Sequence, residues 1–420
     1  MRPLPPLPDW VSLEHQVAQI LTEQEQHGWH FDEISARELE SSLRREYEET
    51  CKILRDRHPY VAGPQFTPKR NNSRQGYIEG ATLTKLKDLN PTSRDHIAWI
   101  LKTHYGWIPS SMTSTGKPVI DETVLKDIGT DIALQFLKLL DLTKQLGMIS
   151  EGVNAWQKLV TTSSRIHHHC STATSTFRCA HRKPNLAQVP SDERFRKLFT
   201  ATPGYVLVAA DLAGIELRML AHYLARFDRG RYSRILTTGD IHATNAERIG
   251  ISRKLVKTIT YAFLYGAGDI KIGHSYDKQL NEDKARKKGK EIREAYVKAI
   301  PGLAELLKAV KERAQDGYVL GLDRRRILVD KGHKALNYLL QGSSAILAKR
   351  WMKIVHDNLF NGAHQLAFIH DELQFECHPN VMDPLEFLLE LSAVQAGEYY
   401  NMRCPVAAEA KCGLTWAETH

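Results

Sequence analysis

The sequence contains few cysteines and no long apolar run. Its 420 residues include six cysteines, at positions 51, 170, 179, 377, 404 and 412, and their spacing forms no disulfide framework. No apolar stretch approaches the roughly 20 residues that a membrane-spanning helix needs. The opening residues, MRPLPPLPDW, lack the apolar core of a signal peptide and predict a Pro-rich linker over 1–11. These absences argue against secreted and membrane proteins and favour the reducing environment of the cytoplasm.

Charge and composition then restrict the class of protein. Hydrophobic residues make up 42% and charged residues 25%, as in a soluble globular protein. A chain of this length is long for one core and indicates two or three lobes. The net charge of +8 favours an anionic partner such as nucleic acid, although many basic proteins bind none.

The order of the predicted elements indicates an α+β fold. Apolar spacing predicts helices from Leu13 to Leu54, interrupted at 25–33, and residues 56–93 are interpreted as a basic loop region. Residues 204–211, GYVLVAAD, predict a buried strand. The remaining predicted elements are helices over 121–160 and 215–315, a hairpin over 316–330, a long helix over 333–359, and two strands meeting at a turn over 364–378. Helices, a small sheet, more helices and the sheet again fit α+β rather than alternating βαβ units.

The stretch SRKLVKTITYAFLYGAG, residues 252–268, predicts a helix with cations at its positively polarised N-terminus. On a helical wheel, Arg253, Lys257, Tyr261 and Tyr265 form one stripe. The opposite, apolar face is formed by Leu255, Ile259, Ala262 and Phe263. A triphosphate beside the cations and a base or sugar against the rings fits the stripe's length of about 18 Å. The alternative is a solvated basic face beside ordinary aromatic residues.

Two separate stretches place carboxylates at the ends of predicted strands. Asp211 ends the strand over 204–211, and the adjacent Asp371 and Glu372 lie where the last two strands meet. Each has an ordinary structural alternative, a helix cap for Asp211 and a turn residue for Asp371. Taken together, two strand-end aspartates can hold two metal ions about 3.5–4 Å apart, and the cationic helix can hold phosphates. That combination favours phosphoryl transfer.

Histidine and cysteine side chains also cluster, in HHHC at 167–170 and CAH at 179–181. These are zinc-binding residue types. Because they are clustered rather than spaced as CxxC pairs, the sequence does not favour a zinc site.

Three stretches in order, DLAGIELR, RKLVKTITYAFLYG and HDE, resemble motifs A, B and C of the A-family DNA polymerases, the bacterial DNA polymerase I group. The resemblance is strongest to the replicative type of short-tailed phages and runs through most of the chain. Further matches are TFRCAHRKPNLAQVP, GDIHATN, GLDRRR, HKALNYLLQ and KCGLTWAETH. The motifs differ from the family pattern at Phe177, where the family has Gly, and at Leu212 and Ala213.

The resemblance implies a right-hand polymerase with a helical thumb, a palm with a small antiparallel sheet, and helical fingers. The implied domains are a thumb with preceding helices over 12–165, a first palm segment over 166–222, fingers over 223–341 and a second palm segment over 342–420. The chain is expected to lack the 3′–5′ exonuclease domain of many relatives. Residues 56–93 sit where some phage relatives carry a larger processivity insertion that binds thioredoxin, and the alternative is a basic surface loop near duplex phosphates.

The implied activity is template-directed addition of deoxynucleotides to a primer 3′-hydroxyl, with release of pyrophosphate. By resemblance, Asp211, Asp371 and the carbonyl of Leu212 bind two Mg²⁺ ions, and Lys257 donates a proton to pyrophosphate. The residues implied to contact the nucleotide are Arg253, Lys257, His242, Glu216, Tyr261 and Tyr265. Among them Glu216 excludes the ribose 2′-hydroxyl, and Tyr265 stacks at the template position. The residues implied at the primer-template are Arg178, Asn185, Gln188, His333, Asn337, Gln341, His370 and Glu372.

The implied partners are primer-template DNA and dNTPs, with a processivity factor or a separate exonuclease as further candidates. The chain is expected to be a monomer without a membrane partner, in the cytoplasm, which is that of an infected bacterium if the protein is viral. Two alternatives are a nucleic-acid-binding module without catalysis and a single-subunit RNA polymerase. The paired aspartates argue against the first, and Glu216 argues against the second.

Overall fold

A computed structural model gives the fold of residues 7–278 and 280–420. The chain forms two compact units: residues 33–158 make one, and the described residues up to 32 together with 159–420 make the other. Residues 1–6 of the predicted linker lie outside the described residues. The linker prediction is wrong at its other end, because helix α1 (Asp9–His27) begins inside 1–11. No helix in the described ranges has the length and apolar character needed to cross a bilayer.

The smaller unit follows α1 and the short strand β1 (Trp29–His30) and is mainly helical. Its helices are α2 (Glu33–Arg57), α3 (Arg94–Tyr105), α4 (Glu122–Ile128), α5 (Asp131–Leu146) and, at its end, α6 (Trp156–Leu159). The helices enclose a core that includes Leu54, Ile97 and Phe136. Ser93 caps α3 by accepting a hydrogen bond from the His96 amide, one of the two caps that the sequence suggested.

The prediction of a loop over 56–93 is wrong. Within it, β2 (Tyr60–Phe66) pairs antiparallel with β3 (Leu83–Asp88), from Tyr60 opposite Asp88 to Phe66 opposite Leu83. All six residues of β3 are exposed, and Val61 is the one buried residue of β2. A hairpin with no buried face lacks the apolar alternation by which strands are recognised in a sequence.

The larger unit contains the remaining strands. They are β4 (Arg165–Ile166), β5 (His169–Ser171), β6 (Ala180–Arg182), β7 (Val206–Leu212), β8 (Tyr318–Leu320), β9 (Arg326–Leu328), β10 (Ala363–Ile369), β11 (Glu372–Cys377) and β12 (Ala408–Gly413). The main sheet is antiparallel, with strand order β10-β11-β7-β12. The predicted strand and both predicted hairpins are therefore present, although β7 begins two residues later than predicted and ends at Leu212.

The helices of the larger unit cover this sheet and extend beyond it. They are α7 (Glu193–Arg196), α8 (Ile215–Asp228), α9 (Arg231–Thr238), α10 (Ile241–Ile249), α11 (Arg253–Leu264), α12 (Asp269–Tyr276), α13 (Glu282–Ala299), α14 (Leu303–Ala314), α15 (Ala335–Asp357) and α16 (Met382–Tyr399). The predicted long helix corresponds to α15, in which every residue over 342–352 is buried. It packs on α1, α8 and α16 in the main core, which also includes Val208, Ala210 and Leu212 of β7.

Candidate active site

The main sheet brings the two predicted aspartates together. Asp211, near the end of β7, lies in register opposite Glu372 of β11 and Glu409 of β12. The Leu212 amide donates a 3.0 Å hydrogen bond to the main-chain carbonyl of Asp371. Asp211 and Asp371 line one cavity of about 220 Å³, which places residues distant in the chain at a single site.

A tight turn presents Asp371. Ile369 and Glu372 are paired, so only His370 and Asp371 connect β10 to β11. His370 has a φ of +62°, the left-handed conformation that two-residue hairpin turns require and that glycine usually supplies. A histidine held there is a local strain of the kind found at functional sites. The turn thus fixes the direction in which the Asp371 carboxyl points.

Both carboxyl groups bind protons unusually tightly. Loss of solvation, and then the charge of Glu372, raise the pKa of Asp211 to about 6. Burial, and then the charges of Asp211 and Glu216, raise the pKa of Asp371 to about 7. Within the described residues neither aspartate forms an ion pair. Two oxygen ligands that repel each other and lack a cation suit a divalent ion such as Mg²⁺.

Glu372 has a different environment from its neighbour. It is 7% exposed, and its carboxylate accepts hydrogen bonds from Trp416, Gln374 and His420 at 2.9, 2.6 and 3.1 Å. Although burial raises the pKa of Glu372, the hydrogen bonds from His420 and Gln374 bring it below its usual value. Glu372 is therefore anchored to the C-terminal segment, although it lines the same cavity as Asp371.

The sequence assigns no role to three polar or aromatic residues of this cavity. Arg196, Trp416 and His420 line it with the two aspartates, and the Arg196 guanidinium lies 5.2 Å from the centre of the Trp416 ring. KCGLTWAETH carried part of the family resemblance, but no spacing signal links it to Glu372. Only the folded register of β12 beside β7 reveals that link.

A hydrogen-bonded group lies next to the aspartates. Oε1 of Glu216 accepts from Arg178 at 2.6 Å and from the Tyr265 hydroxyl at 3.0 Å. Burial and the Glu216 charge raise the pKa of Tyr265 to about 12, so Tyr265 remains a neutral donor. The structure thus joins three predicted site residues, and the Glu216 charge also acts on Asp371.

Helix α11 has the predicted amphipathic arrangement. Ser252 caps it, accepting from the Leu255 amide. Arg253 and Lys257 are exposed at its start, and Tyr265, 49% exposed, follows its end. The opposite face is buried at Ile259 and Phe263 and half-buried at Leu255 and Ala262.

The cations of α11 have unequal partners. Arg253 donates to Asp240 at 2.6 Å, while Lys257 has no ion-pair partner in the part of the chain that the structure describes. His242 is 8% exposed, and its ring lies 6.2 Å from that of Tyr261. Burial, with the charges of Arg253 and Lys257 nearby, lowers the pKa of His242. A cationic patch therefore surrounds a neutral imidazole, and this arrangement suits a polyphosphate.

The remaining predicted residues lie around these groups. Asn337, at the start of α15, donates to the Leu264 carbonyl at 2.8 Å and so ties α15 to the end of α11. Asn337 and His333 line a second cavity of about 350 Å³ with Phe263. We call the cavity lined by Asp211 and Asp371 the acidic cavity. Asn185 and Gln188 are exposed on either side of two residues that line it. Gln341 is half-buried.

Comparison with known proteins agrees with this geometry. The family model for DNA polymerase family A matches residues 69–418. The DNA-directed DNA polymerase of Enterobacteria phage T3 is 31% identical over 98% of this chain and 70% of its own length. The corresponding enzyme of Escherichia phage T7 is 30% identical over the same shares. DNA polymerase I of Pseudomonas aeruginosa is 28% identical over 80% of this chain and 39% of its own.

The fold has a similar counterpart among solved structures. The POL domain of Pol1 from M. smegmatis, solved in complex with DNA primer-template and dNTP, superposes with a TM-score of 0.77. It is 22% identical, and the match covers 97% of this chain and 70% of that one. This likeness confirms the predicted α+β polymerase fold. Together with the family match and the phage relatives, it shows that the chain belongs to DNA polymerase family A and is a DNA-directed DNA polymerase.

Proposed function

We propose that this polymerase extends a primer 3′-hydroxyl in the cavity lined by Asp211 and Asp371. The observation that carries the proposal is that two carboxyl groups distant in the chain line one cavity with no cationic partner among the described residues. Burial raises their pKa values to about 6 and about 7. Asp211, Asp371 and the main-chain carbonyl of Leu212 would hold two Mg²⁺ ions. When bound, those ions neutralise phosphate charge and favour the ionised primer hydroxyl.

The residues of α11 and α10 bind and orient the incoming nucleotide. Arg253 and Lys257 neutralise the triphosphate, and Arg253 must first exchange its partner Asp240 for phosphate. The buried His242 offers a neutral ring beside Tyr261. In the reaction the primer 3′-hydroxyl loses its proton to solvent and its oxygen bonds to the α-phosphorus. The bond from the α-phosphorus to the oxygen bridging to the β-phosphate breaks, and the Lys257 ammonium gives its proton to the leaving pyrophosphate.

The group of Arg178, Glu216 and Tyr265 controls the sugar and the template base. In this conformation Tyr265 and Arg178 share one oxygen of Glu216, so that oxygen is held beside the site. A ribose 2′-hydroxyl directed at Glu216 would contact a carboxylate oxygen that already accepts hydrogen bonds from Arg178 and Tyr265, and this disfavours ribonucleotides. Tyr265 must leave Glu216 for the template base to stack at its position.

Further parts of the family assignment belong to the same proposal. The thumb is formed by the helices of residues 33–158, narrower than the 12–165 expected, since α1 packs in the core of the larger unit. Residues 166–222 and 342–420 form the palm, and 223–341 form the fingers. The DNA contacts are made by the residues around the acidic cavity and the start of α15, with primer-template DNA and dNTPs as partners.

Replacing Asp371 by Asn tests the metal role. We expect primer extension with Mg²⁺ to fall roughly 10²–10⁴-fold, because the amide keeps the shape but removes the charge that binds the ions. Glu294→Gln, a surface acid on α13 with a side chain 68% exposed, is the matched control and should keep wild-type extension. Undiminished synthesis by Asp371→Asn would refute the assignment.

Replacing Glu216 by Ala tests sugar selection. We expect the ratio of ribonucleotide to deoxynucleotide incorporation to rise roughly 10–200-fold, the range for one pocket contact. Competing rNTPs and dNTPs in single-nucleotide extension give this ratio directly. A ratio unchanged from wild type would show that Glu216 does not exclude the 2′-hydroxyl.

A further inference from the structure

A second cluster of potential metal ligands lies on the β5–β6 hairpin, outside the acidic cavity. Cys170 of β5 lies in register opposite His181 of β6. His168 is two residues before Cys170, just outside β5, and its ring lies 5.6 Å from that of His181. Cys170 Sγ is 3.3 Å from His181 Nδ1, and one ligand atom from each of the three residues lies within 4.8 Å of the others. One ion can therefore be reached by all three side chains.

The cluster is buried and chemically unlike the aspartate site. His168, Cys170 and His181 are 0%, 9% and 7% exposed. Imidazole nitrogen and thiolate sulfur are ligands of zinc and of softer metals, whereas Mg²⁺ takes oxygen ligands. The two sites therefore do not compete for the same ion.

The two histidines can bind a metal ion as neutral imidazoles, whereas Cys170 must first lose its proton. Burial and neighbouring histidines lower the pKa of His168 to about 3, and burial lowers that of His181 to about 4, so each ring is neutral and has one nitrogen lone pair. Burial raises the pKa of the Cys170 thiol. His168 Nε2 and His181 Nδ1 are the nitrogens that meet Gln24 and Cys170, and they face the cluster.

We propose that His168, Cys170 and His181 bind one zinc ion. On binding, the sulfur of Cys170 forms a bond to zinc and releases its thiol proton to solvent, while each imidazole contributes a nitrogen lone pair. The bound site carries one net positive charge, two from zinc and minus one from the thiolate. The ion has a structural role, since the nucleotide chemistry belongs to the aspartates.

Gln24 supplies an oxygen for the fourth position. Its side-chain nitrogen lies 3.1 Å from His168 Nε2 and 3.5 Å from Cys170 Sγ. Its side-chain oxygen accepts from Gln365 at 2.8 Å, while the Gln365 oxygen is buried without a partner. Reversing both amide groups gives the Gln365 oxygen a donor and turns the Gln24 oxygen towards the cluster. Zinc with two nitrogens, one sulfur and one oxygen is then four-coordinate.

A zinc ion here would order a segment that the active site uses. The chain between β5 and β6 carries Arg178, which holds Glu216. The ring of His181 also lies 6.3 Å from that of His370, in the turn that presents Asp371. Fixing the two strands to each other and to α1 through Gln24 would limit the movement of Arg178.

Metal content of the purified full chain tests the proposal. The protein is prepared without chelators, dialysed with ZnCl₂ and then with metal-free buffer, and analysed by inductively coupled plasma mass spectrometry. We expect about one zinc per chain in the wild type and less than about a tenth of that in Cys170→Ala and His181→Ala. Cys404→Ala, which removes another fully buried thiol, should keep its zinc.

A separate variant distinguishes this site from the aspartates. Asp371→Asn should retain one zinc, since none of its atoms belongs to the hairpin cluster. Loss of zinc in Asp371→Asn with retention in Cys170→Ala would place the ion at the acidic cavity and refute the proposal.

Cobalt substitution gives a readout that needs no variant to fold. Co²⁺ added to the metal-free wild type should give a thiolate-to-cobalt charge-transfer band and the visible bands of four-coordinate cobalt, with release of about one proton per ion. Wild-type protein without zinc after dialysis, or a cobalt spectrum without the thiolate band, would overturn the assignment.

Discussion

Asp211 and Asp371 line one cavity, and neither forms an ion pair within the described residues, which has a consequence for stability. When a carboxyl group has a higher pKa in the folded state than in the unfolded state, the protein loses stability as the pH rises from the lower pKa to the higher one. For Asp371 the interval runs from its ordinary value of 3.8 to about 7. In the metal-free protein, ionisation of this site above neutral pH therefore opposes folding.

We expect Asp371→Asn to be more stable than the wild type in EDTA at about pH 8, by on the order of 2 kcal/mol. The difference should shrink as the pH falls from about 7 towards 4, because the folded wild type then takes up a proton at Asp371 and this uptake costs progressively less free energy. Urea unfolding at a series of pH values measures it. Adding Mg²⁺ should stabilise the wild type alone, and a gain by the variant that does not change with pH would contradict the electrostatic cause.

Single residues also show where sequence reasoning stops. The proximity of Asp211 and Asp371 could be predicted because each lies at or next to the end of a strand of buried residues, which is a local pattern. Trp416 and His420 could not, since their contacts with Glu372 depend on three strands being in register. The spacing of His168, Cys170 and His181 in the sequence does not favour a zinc site. In the fold, hairpin pairing places Cys170 opposite His181.

At the scale of elements, a charged network joins α1 to α15. Both carboxylate oxygens of Glu14 lie 2.8 Å from the Lys349 ammonium, and Arg325 donates to Glu14 at 2.5 Å. Lys349 is 1% exposed, so its charge depends on Glu14 for compensation. Burial raises the pKa of Glu14, but Lys349 and Arg325 together bring it below its usual value.

Removing one partner of this network should cost more than removing both. We expect Glu14→Gln to lower the free energy of unfolding by about 2–3 kcal/mol, because it leaves Lys349 buried without a counter-charge. The double variant Glu14→Gln with Lys349→Met should recover much of this loss, since Arg325 still pairs with Asp323. Chemical denaturation of the single and double variants forms a double-mutant cycle.

A surface pair provides the control for that cycle. Glu312 and Lys308 are 4.0 Å apart with side chains 62% and 78% exposed. Glu312→Gln should change stability by less than about 0.5 kcal/mol. An equal effect of Glu14→Gln and Glu312→Gln would show that burial does not strengthen the α1–α15 network.

Elements differ in how far the sequence predicts them. Helix α11 was predicted with both faces because its apolar positions recur at helical spacing. The β2–β3 hairpin was missed because nearly all of its side chains are exposed. Which core a helix joins is not visible in its own sequence, since α1 buries apolar residues in the core of the larger unit, whereas α2 contributes Cys51 and Leu54 to the core of the smaller unit.

At the scale of the whole molecule, charge distribution decides how the protein meets DNA. The chain has 57 basic and 49 acidic residues, so the excess is modest. Affinity for DNA must therefore come from the placement of the cations. Arg178 acts on Asp371, and Arg253 and Lys257 are exposed at the start of α11, which is where the primer-template and the nucleotide are proposed to bind.

Salt dependence of DNA binding tests this distribution. If about six to ten phosphates are contacted, affinity for a primer-template duplex should fall roughly 10³–10⁵-fold between 50 and 200 mM salt, because each contact releases condensed counterions. Fluorescence anisotropy with a labelled duplex gives the slope of log affinity against log salt. Replacing one exposed lysine that contacts a DNA phosphate should reduce the magnitude of that slope by about one. The surface variant Glu294→Gln should leave the slope unchanged. A flat response would mean that the cations around the aspartates do not contact the DNA backbone.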